Sequence, residues 1–174
     1  MAFVARVPFM DNFWSAIAGG AVAILGSVAT PIFLERTRRR AERLSLAGAI
    51  VGEIEALIAI SQHRKYVDGI RQELAKAQAN PDKYGVFHFS VRRNPMRVYE
   101  ANLARIGILP NPLPKQIVLF YAGISSILED IDDMREEKIQ RTPEDRIRLL
   151  KELLELSEDT FALGQKIITD TGQR

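Results

Sequence analysis

Residues able to act as acids, bases, nucleophiles or metal ligands are few in this chain. It contains no cysteine and two histidines, His63 and His88. His63 precedes Arg64 and Lys65 on a predicted helix surface, and His88 lies between two phenylalanines in a predicted loop. A catalytic triad or a histidine metal site needs further partners at a matching spacing, and neither histidine has them. The missing cysteines also exclude disulfides, thiolate metal sites and thiol nucleophiles.

A run of carboxylates in the C-terminal third is the strongest candidate for cation binding. It consists of Glu129, Asp130, Asp132, Asp133, Glu136 and Glu137. On a helix these positions spread around the polar side, and they lack the loop geometry of a calcium site. We therefore predict a solvated helix face, with no metal and no cofactor.

Basic and aromatic residues occur together near residue 92, a composition typical of platforms for single-stranded nucleic acid. The set comprises Phe87, Phe89, Arg92, Arg93, Arg97 and Tyr99. Because no sheet is predicted to organise them and a membrane is expected nearby, we expect contact with lipid head groups or with the acidic C-terminal hairpin, and no nucleic-acid partner.

Sequence motifs of enzymes are absent. The chain has no phosphate-binding glycine loop, dinucleotide fingerprint, Gly-x-Ser-x-Gly elbow or zinc-binding His/Glu helix motif. The sequence thus predicts neither a catalytic site nor a small-molecule substrate, and we interpret the protein as a non-enzyme.

The two parts of the chain carry opposite net charge. Residues 1–115 have a net charge of +7 and residues 116–174 one of −5, which together give the overall +2. The N-terminal part is therefore basic and the C-terminal part acidic. At 174 residues the whole chain has the size of about one domain.

One stretch is long and apolar enough to cross a membrane. Residues 13–34, from Phe13 to Leu34, contain no charged side chain. As a helix they extend about 33 Å, close to the roughly 30 Å hydrocarbon core of a bilayer. Asp11 and Asn12 supply N-cap chemistry immediately before it. We predict a transmembrane helix over 13–34, after a short extracytoplasmic segment 1–12 and before a cytoplasmic domain 35–174.

An arginine cluster directly after this stretch predicts its orientation. The cluster comprises Arg36, Arg38, Arg39, Arg40 and Arg43, whereas the N-terminal flank carries only Arg6 and the amino terminus. The positive-inside rule then places the N-terminus outside and the C-terminal domain in the cytoplasm. We also expect the cluster to contact anionic lipid at the inner membrane surface.

Two other interpretations of the apolar stretch remain. Ser27, Val28 and Ala29 resemble a signal-peptide cleavage site, although the preceding region is barely basic and the apolar run continues to Leu34. The stretch could also be a core helix of a soluble protein, for which 22 uncharged residues would be unusually long.

Small residues recur at helical spacing and are candidates for helix–helix packing. Within the span they form a seam, and a second small-xxx-small pair follows it in the next apolar segment: Gly19, Ala23, Ser27 and Thr30, then Gly48 and Gly52. Such seams let helix backbones approach closely. They favour a homo-oligomer or a membrane-protein partner in addition to the lipid bilayer.

The remaining sequence predicts an all-α domain. No proline interrupts residues 35–79, so one long helix is predicted up to Asn80-Pro81. Its apolar face includes Leu44, Leu46, Ala47, Ile50, Val51, Ile54, Leu57, Ile58 and Ile60. Glu53 and Glu55 are the only charges in residues 44–62, so a second membrane pass is an alternative.

The C-terminal elements follow from prolines, caps and periodicity. We predict an extended piece over 86–91, a helix over 96–106 ended by Gly107, and a helix over 115–140. A last helix begins after Thr142 as N-cap with Pro143 in its first turn. The last two helices are expected to form an antiparallel hairpin, with the long first helix completing the bundle.

Three segments of the chain resemble a known arrangement: LERTRRRAERL after an uncharged span, then YEANLARIGILP and IVLFYAGI. The chain is similar to uncharacterised small single-pass proteins of the bacterial inner membrane. The resemblance implies that location and implies no activity, cofactor or catalytic residue.

Two functions of different classes agree with these features. The first is a membrane-anchored structural or interaction protein, an accessory subunit or scaffold of a membrane complex. The second is a holin-like or toxin-like effector that permeabilises the membrane by oligomerising through its Gly/Ala-rich span. The lack of polar lining residues in the span favours the first.

Overall fold

The structure is a computed structural model, which describes the backbone of residues 9–81, 95–135 and 142–172 and the side chains of residues 32–81, 95–134 and 142–172. These residues form helices and turns without any strand, which confirms the all-α prediction. In chain order the elements are α1 (Phe9–His63), α2 (Tyr66–Ala79), α3 (Arg97–Asn102), a 3₁₀ helix (Leu103–Ile108), α4 (Leu113–Arg135) and α5 (Pro143–Gly172). The predicted extended piece over 86–91 lies outside the described residues.

The chain divides into two compact units, Met1–Leu44 and Ser45–Arg174. In the first unit the described backbone is a continuous part of α1, so the predicted span 13–34 is helical along its whole length. The second unit is a helical bundle, and the packing described below belongs to it alone.

The first helix is shorter than predicted. It ends at His63 rather than at Ala79, and α2 begins at Tyr66. Lys65 separates the two helices with a left-handed backbone conformation, φ 54° and ψ 42°. The absence of proline indicated continuity, but a single non-glycine residue with positive φ ends a helix as effectively.

The element after Pro95 also differs from the prediction. The helix α3 begins at Arg97, after Met96 as N-cap, and continues as the 3₁₀ helix to Ile108. Gly107 was expected to end the helix in a C-cap role, but it lies inside the 3₁₀ segment without a positive φ. In 3₁₀ geometry the last carbonyl groups of a short helix find hydrogen-bond donors without a glycine in the left-handed conformation.

The helices α4 and α5 form the predicted antiparallel hairpin, and two clusters of apolar side chains show how the other helices pack on it. In one cluster the first half of α4 (Ile117, Phe120) meets the end of α5 (Ile167) and the α1 residues Ile50 and Ile54. In the other cluster the second half of α4 meets the start of α5 and the helix α2. Its buried residues are Ile70, Ala77, Ile127, Ile131, Leu150 and Leu153.

Two glycines bring helices of this bundle close together. A Cβ added at Gly123 on α4 would collide with Thr160 on α5. A Cβ added at Gly164 would collide with Phe120 and Ile58. These two close approaches use glycines that the sequence patterns did not single out.

The start of α5 matches its sequence signature. The Thr142 hydroxyl accepts a hydrogen bond from the Asp145 N–H at 3.2 Å, and Pro143 is the first helical residue. The predicted end of α4 at residue 140 lies outside the described residues.

Candidate functional site

The helix α1 is long and apolar enough to cross a membrane. Among the described side chains, α1 meets this criterion within Ile32–His63, where an 18-residue window reaches a mean hydropathy of 1.7. The predicted span 13–34 and its seam of small residues (Gly19, Ala23, Ser27 and Thr30) lie almost wholly before residue 32, outside the described side chains.

The later, apolar part of Ile32–His63 is a helix of the bundle core. Its side chains Leu46, Ile50, Ile54 and Ile58 are buried, against partners that include α4 and the end of α5. The apolar row of this segment, for which a second membrane pass was an alternative, is thus largely covered by the chain itself. Of the predicted apolar face, Leu44 and Ile60 are the exceptions, being 65% and 44% exposed.

The arginine cluster lies on an exposed part of α1. All five side chains (Arg36, Arg38, Arg39, Arg40 and Arg43) are accessible to solvent. Arg39 donates a hydrogen bond from Nε to the Glu35 carboxylate at 2.6 Å, and this bond lowers the pKa of Glu35. A string of exposed guanidinium groups suits contact with phosphate groups.

The side of α1 that faces away from the bundle core consists mostly of small residues. It includes Ser45, Gly48, Ala49, Gly52, Ala56 and Ala59, all exposed, with Leu44 and Ile60 at its ends. A Cβ added at Gly48 or Gly52 would meet nothing within 4 Å. We call this surface the small-residue face. The bundle leaves it open, and its lack of bulky side chains would let another helix approach closely.

A partly buried polar network lies beside the small-residue face, around Glu53 of α1. The Glu53 carboxylate accepts hydrogen bonds from the backbone N–H groups of Val98 and Tyr99 at 2.7 and 2.9 Å, and from the Tyr121 hydroxyl at 2.7 Å. The rings of Tyr99 and Tyr121 stack with centroids 3.9 Å apart. Burial and the neighbouring Glu53 raise the pKa of Tyr121 well above its usual range. The network joins α1, α3 and α4, and the Glu53 carboxylate caps the first backbone N–H groups of α3.

A cavity of about 480 Å³ opens where α1, α2, α4 and α5 meet. Its apolar lining includes Leu57, Ile124, Ile127, Leu128, Ile131 and Phe161. Its polar lining comes mainly from residues 61–66, where α1 ends and α2 begins, and includes His63 at the end of α1. The sequence patterns gave no sign of this cavity, because it arises from helix packing and leaves no motif.

The other candidates for chemistry stay dispersed. Glu129, Asp132 and Asp133 are exposed on α4, and the described residues contain no group of three or more metal-ligating side chains. Arg97 is exposed at the start of α3, and Tyr99 belongs to the Glu53 network. His88, Arg92, Arg93, Phe87, Phe89, Glu136 and Glu137 lie outside the described residues.

Comparisons with known proteins give no relative from which to transfer a function. No family model matches the chain, and neither a curated protein nor a solved structure matches it significantly.

Proposed function

We propose that this protein is a membrane-anchored interaction protein, an accessory subunit or scaffold of a complex at the bacterial inner membrane. In this proposal residues 13–34 cross the bilayer with the N-terminus outside, and residues 35–174 are cytoplasmic. The anchor is supported by the 22 uncharged residues of 13–34, which lie within the continuous helix α1. The exposed arginines after residue 35 support its orientation.

The small-residue face is the observation that carries the proposed interaction. A soluble bundle normally places charged or long polar side chains on its outer helix positions. Here residues 44–60 carry Glu55 as the one charge on that side, between small and apolar neighbours. We assign this face to packing against a partner helix, from a second copy of the chain or from another membrane protein.

Enlarging the glycines of this face tests the interaction directly. Gly48→Leu and Gly52→Leu introduce side chains into open space, so the bundle is expected to stay folded. The matched control is Gly107→Leu, which also points into open space but lies on the 3₁₀ helix. We expect association, measured as self-association by energy transfer or as partner recovery in mild detergent, to weaken about tenfold in the first two variants only. Equal association in all variants would contradict the proposed face.

The cysteine-free sequence makes the anchor testable by labelling. Gln62 and Gln165 are both exposed and lie outside the small-residue face, so Gln62→Cys and Gln165→Cys each provide one accessible thiol. In intact inverted and right-side-out vesicles, an impermeant maleimide is expected to label both thiols from the cytoplasmic side alone. Labelling from outside would overturn the topology. Loss of membrane potential on expression would instead favour the permeabilising effector.

A further inference from the structure

The cavity between α1, α2, α4 and α5 has the properties of a ligand site. Its volume of about 480 Å³ lies within the roughly 300–1,000 Å³ typical of small-molecule sites. The lining is largely apolar, and most of the lining side chains belong to the helices α1, α2, α4 and α5. A pre-formed apolar chamber of this size favours a ligand with a substantial hydrocarbon body.

A buried hydroxyl gives the cavity an unmet polar requirement. Ser61 is 5% exposed and lines the cavity, yet it makes no hydrogen bond with any residue that the structure describes. The nearby Ser157 differs, because its hydroxyl donates to the Leu153 carbonyl at 2.7 Å. A buried hydroxyl without a partner is destabilising, so a polar ligand atom beside Ser61 would be stabilising.

The polar end of the cavity is positive. Arg64 lines it and donates a hydrogen bond to the Tyr66 hydroxyl at 3.1 Å, and its guanidinium carries a permanent positive charge. No carboxylate belongs to the described lining of this cavity. Ser61, Arg64 and Tyr66 all come from the α1–α2 junction, whereas the apolar side chains Ile127 and Phe161 come from α4 and α5. Charge and apolar surface are therefore separated within one chamber.

We propose that this cavity binds a single-chain amphiphile with an anionic head group, such as a fatty acid. The hydrocarbon chain lies among the apolar side chains of α4 and α5. The head group lies at the α1–α2 junction, where it accepts hydrogen bonds from the Ser61 hydroxyl and the Arg64 guanidinium. This site is distinct from the small-residue face, and its occupancy does not require the proposed partner or membrane orientation.

Photo-crosslinking locates the ligand in the full-length protein. The probe is a diazirine-bearing fatty acid, added to the protein in phosphatidylcholine nanodiscs, with adducts mapped by mass spectrometry. We expect adducts on peptides that contain residues 57–66, 124–131 and 161. Dodecanoate is expected to suppress them at lower concentration than dodecanol, and dodecyltrimethylammonium least. Adducts confined to other residues, or equal competition by the cationic amphiphile, would overturn the proposal.

Two pairs of variants separate specific binding from background partitioning. Leu128→Trp fills the cavity and is expected to abolish its adducts, while Val118→Trp, at a position 46% exposed on the same helix, retains them.

Arg64→Glu is expected to weaken competition by dodecanoate about tenfold and to leave competition by dodecanol unchanged. Its control is Lys151→Glu, an exposed position outside the cavity lining. Since Arg64 is exposed, this pair remains decisive if Leu128→Trp fails to fold, and an unchanged response to dodecanoate in Arg64→Glu contradicts the proposed head-group site.

Discussion

The hydroxyl of Tyr121 on α4 donates a hydrogen bond to the carboxylate of Glu53 on α1 at 2.7 Å. The same carboxylate accepts the N–H groups of Val98 and Tyr99, which belong to the first turn of α3. The N-cap residue of α3 is Met96, whose side chain makes no cap hydrogen bond. Glu53 therefore caps a helix from another element, supplying the acceptor that the helix lacks.

This relationship predicts a large effect for Glu53→Gln. The amide keeps the size of the side chain, but one of its two polar atoms donates hydrogen bonds and cannot accept them. At least one of the three donors then loses its acceptor in a partly buried place, at a cost of about 1–3 kcal/mol of unfolding free energy. Urea unfolding followed by circular dichroism measures this change.

The neighbouring acid is the control for that experiment. Glu55 is exposed, so Glu55→Gln removes the same charge from the same helix and is expected to change stability by less than about 0.5 kcal/mol. If both variants lost the same unfolding free energy, the effect would come from the charge on the helix and not from the hydrogen bonds of the cap.

Alkaline pH provides a second test of the network. Because the pKa of Tyr121 is raised in the folded protein, the unfolded chain ionises first as pH increases. The contribution of this group to stability is thus complete below about pH 10, the ordinary tyrosine value, and is lost as pH rises beyond it. Tyr121→Phe is expected to lower stability at neutral pH by about 1 kcal/mol and to flatten the decline above pH 10.

Part of that alkaline slope will remain in Tyr121→Phe, because burial also raises the pKa of Tyr99. The double variant Tyr99→Phe, Tyr121→Phe is expected to flatten it further. Thermal melting over about pH 9 to 11 gives the comparison. A slope identical in all three proteins would show that other groups govern alkaline unfolding.

Periodicity and caps predicted most of the bundle from the sequence. The apolar positions of α4 recur every three or four residues, and Thr142 with Pro143 marks the start of α5, so both elements follow from local rules. The end of α1 does not follow from local rules, because it depends on the left-handed backbone conformation of Lys65, which lysine does not prefer. Backbone conformations selected by tertiary packing are beyond such rules.

The candidate sites were less predictable than the fold. Gly48 and Gly52 were identified by their spacing, but their exposure follows from which side of α1 the bundle covers. Glu53 was visible as a charge on an apolar row, while its three donors lie 45 to 68 residues further along the chain. The cavity is the void left by the meeting of several helices, so only the assembled bundle could indicate it.

The glycines of the bundle should respond in opposite directions to alanine. Gly164→Ala places a methyl group against Phe120 and Ile58, which we expect to cost about 1–3 kcal/mol through overpacking. Gly52→Ala places the same group in open space within a helix and is expected to stabilise by up to about 1 kcal/mol. Chemical unfolding of both variants measures the difference. A destabilised Gly52→Ala bundle that does not self-associate would contradict the open face.

The junction between α1 and α2 yields a prediction in which glycine stabilises. Lys65 has φ 54°, a conformation that costs a non-glycine residue about 1–2 kcal/mol. Lys65→Gly removes that strain, partly offset by the greater freedom of glycine in the unfolded chain, so a gain of up to about 1 kcal/mol is expected. The control is Glu55→Gly, which lies inside α1 with an exposed side chain and should lose about 1 kcal/mol. Urea unfolding of the two variants gives the sign of each change. If both glycines destabilise the bundle equally, then Lys65 does not adopt the left-handed conformation, and α1 continues into α2 as the sequence alone predicted.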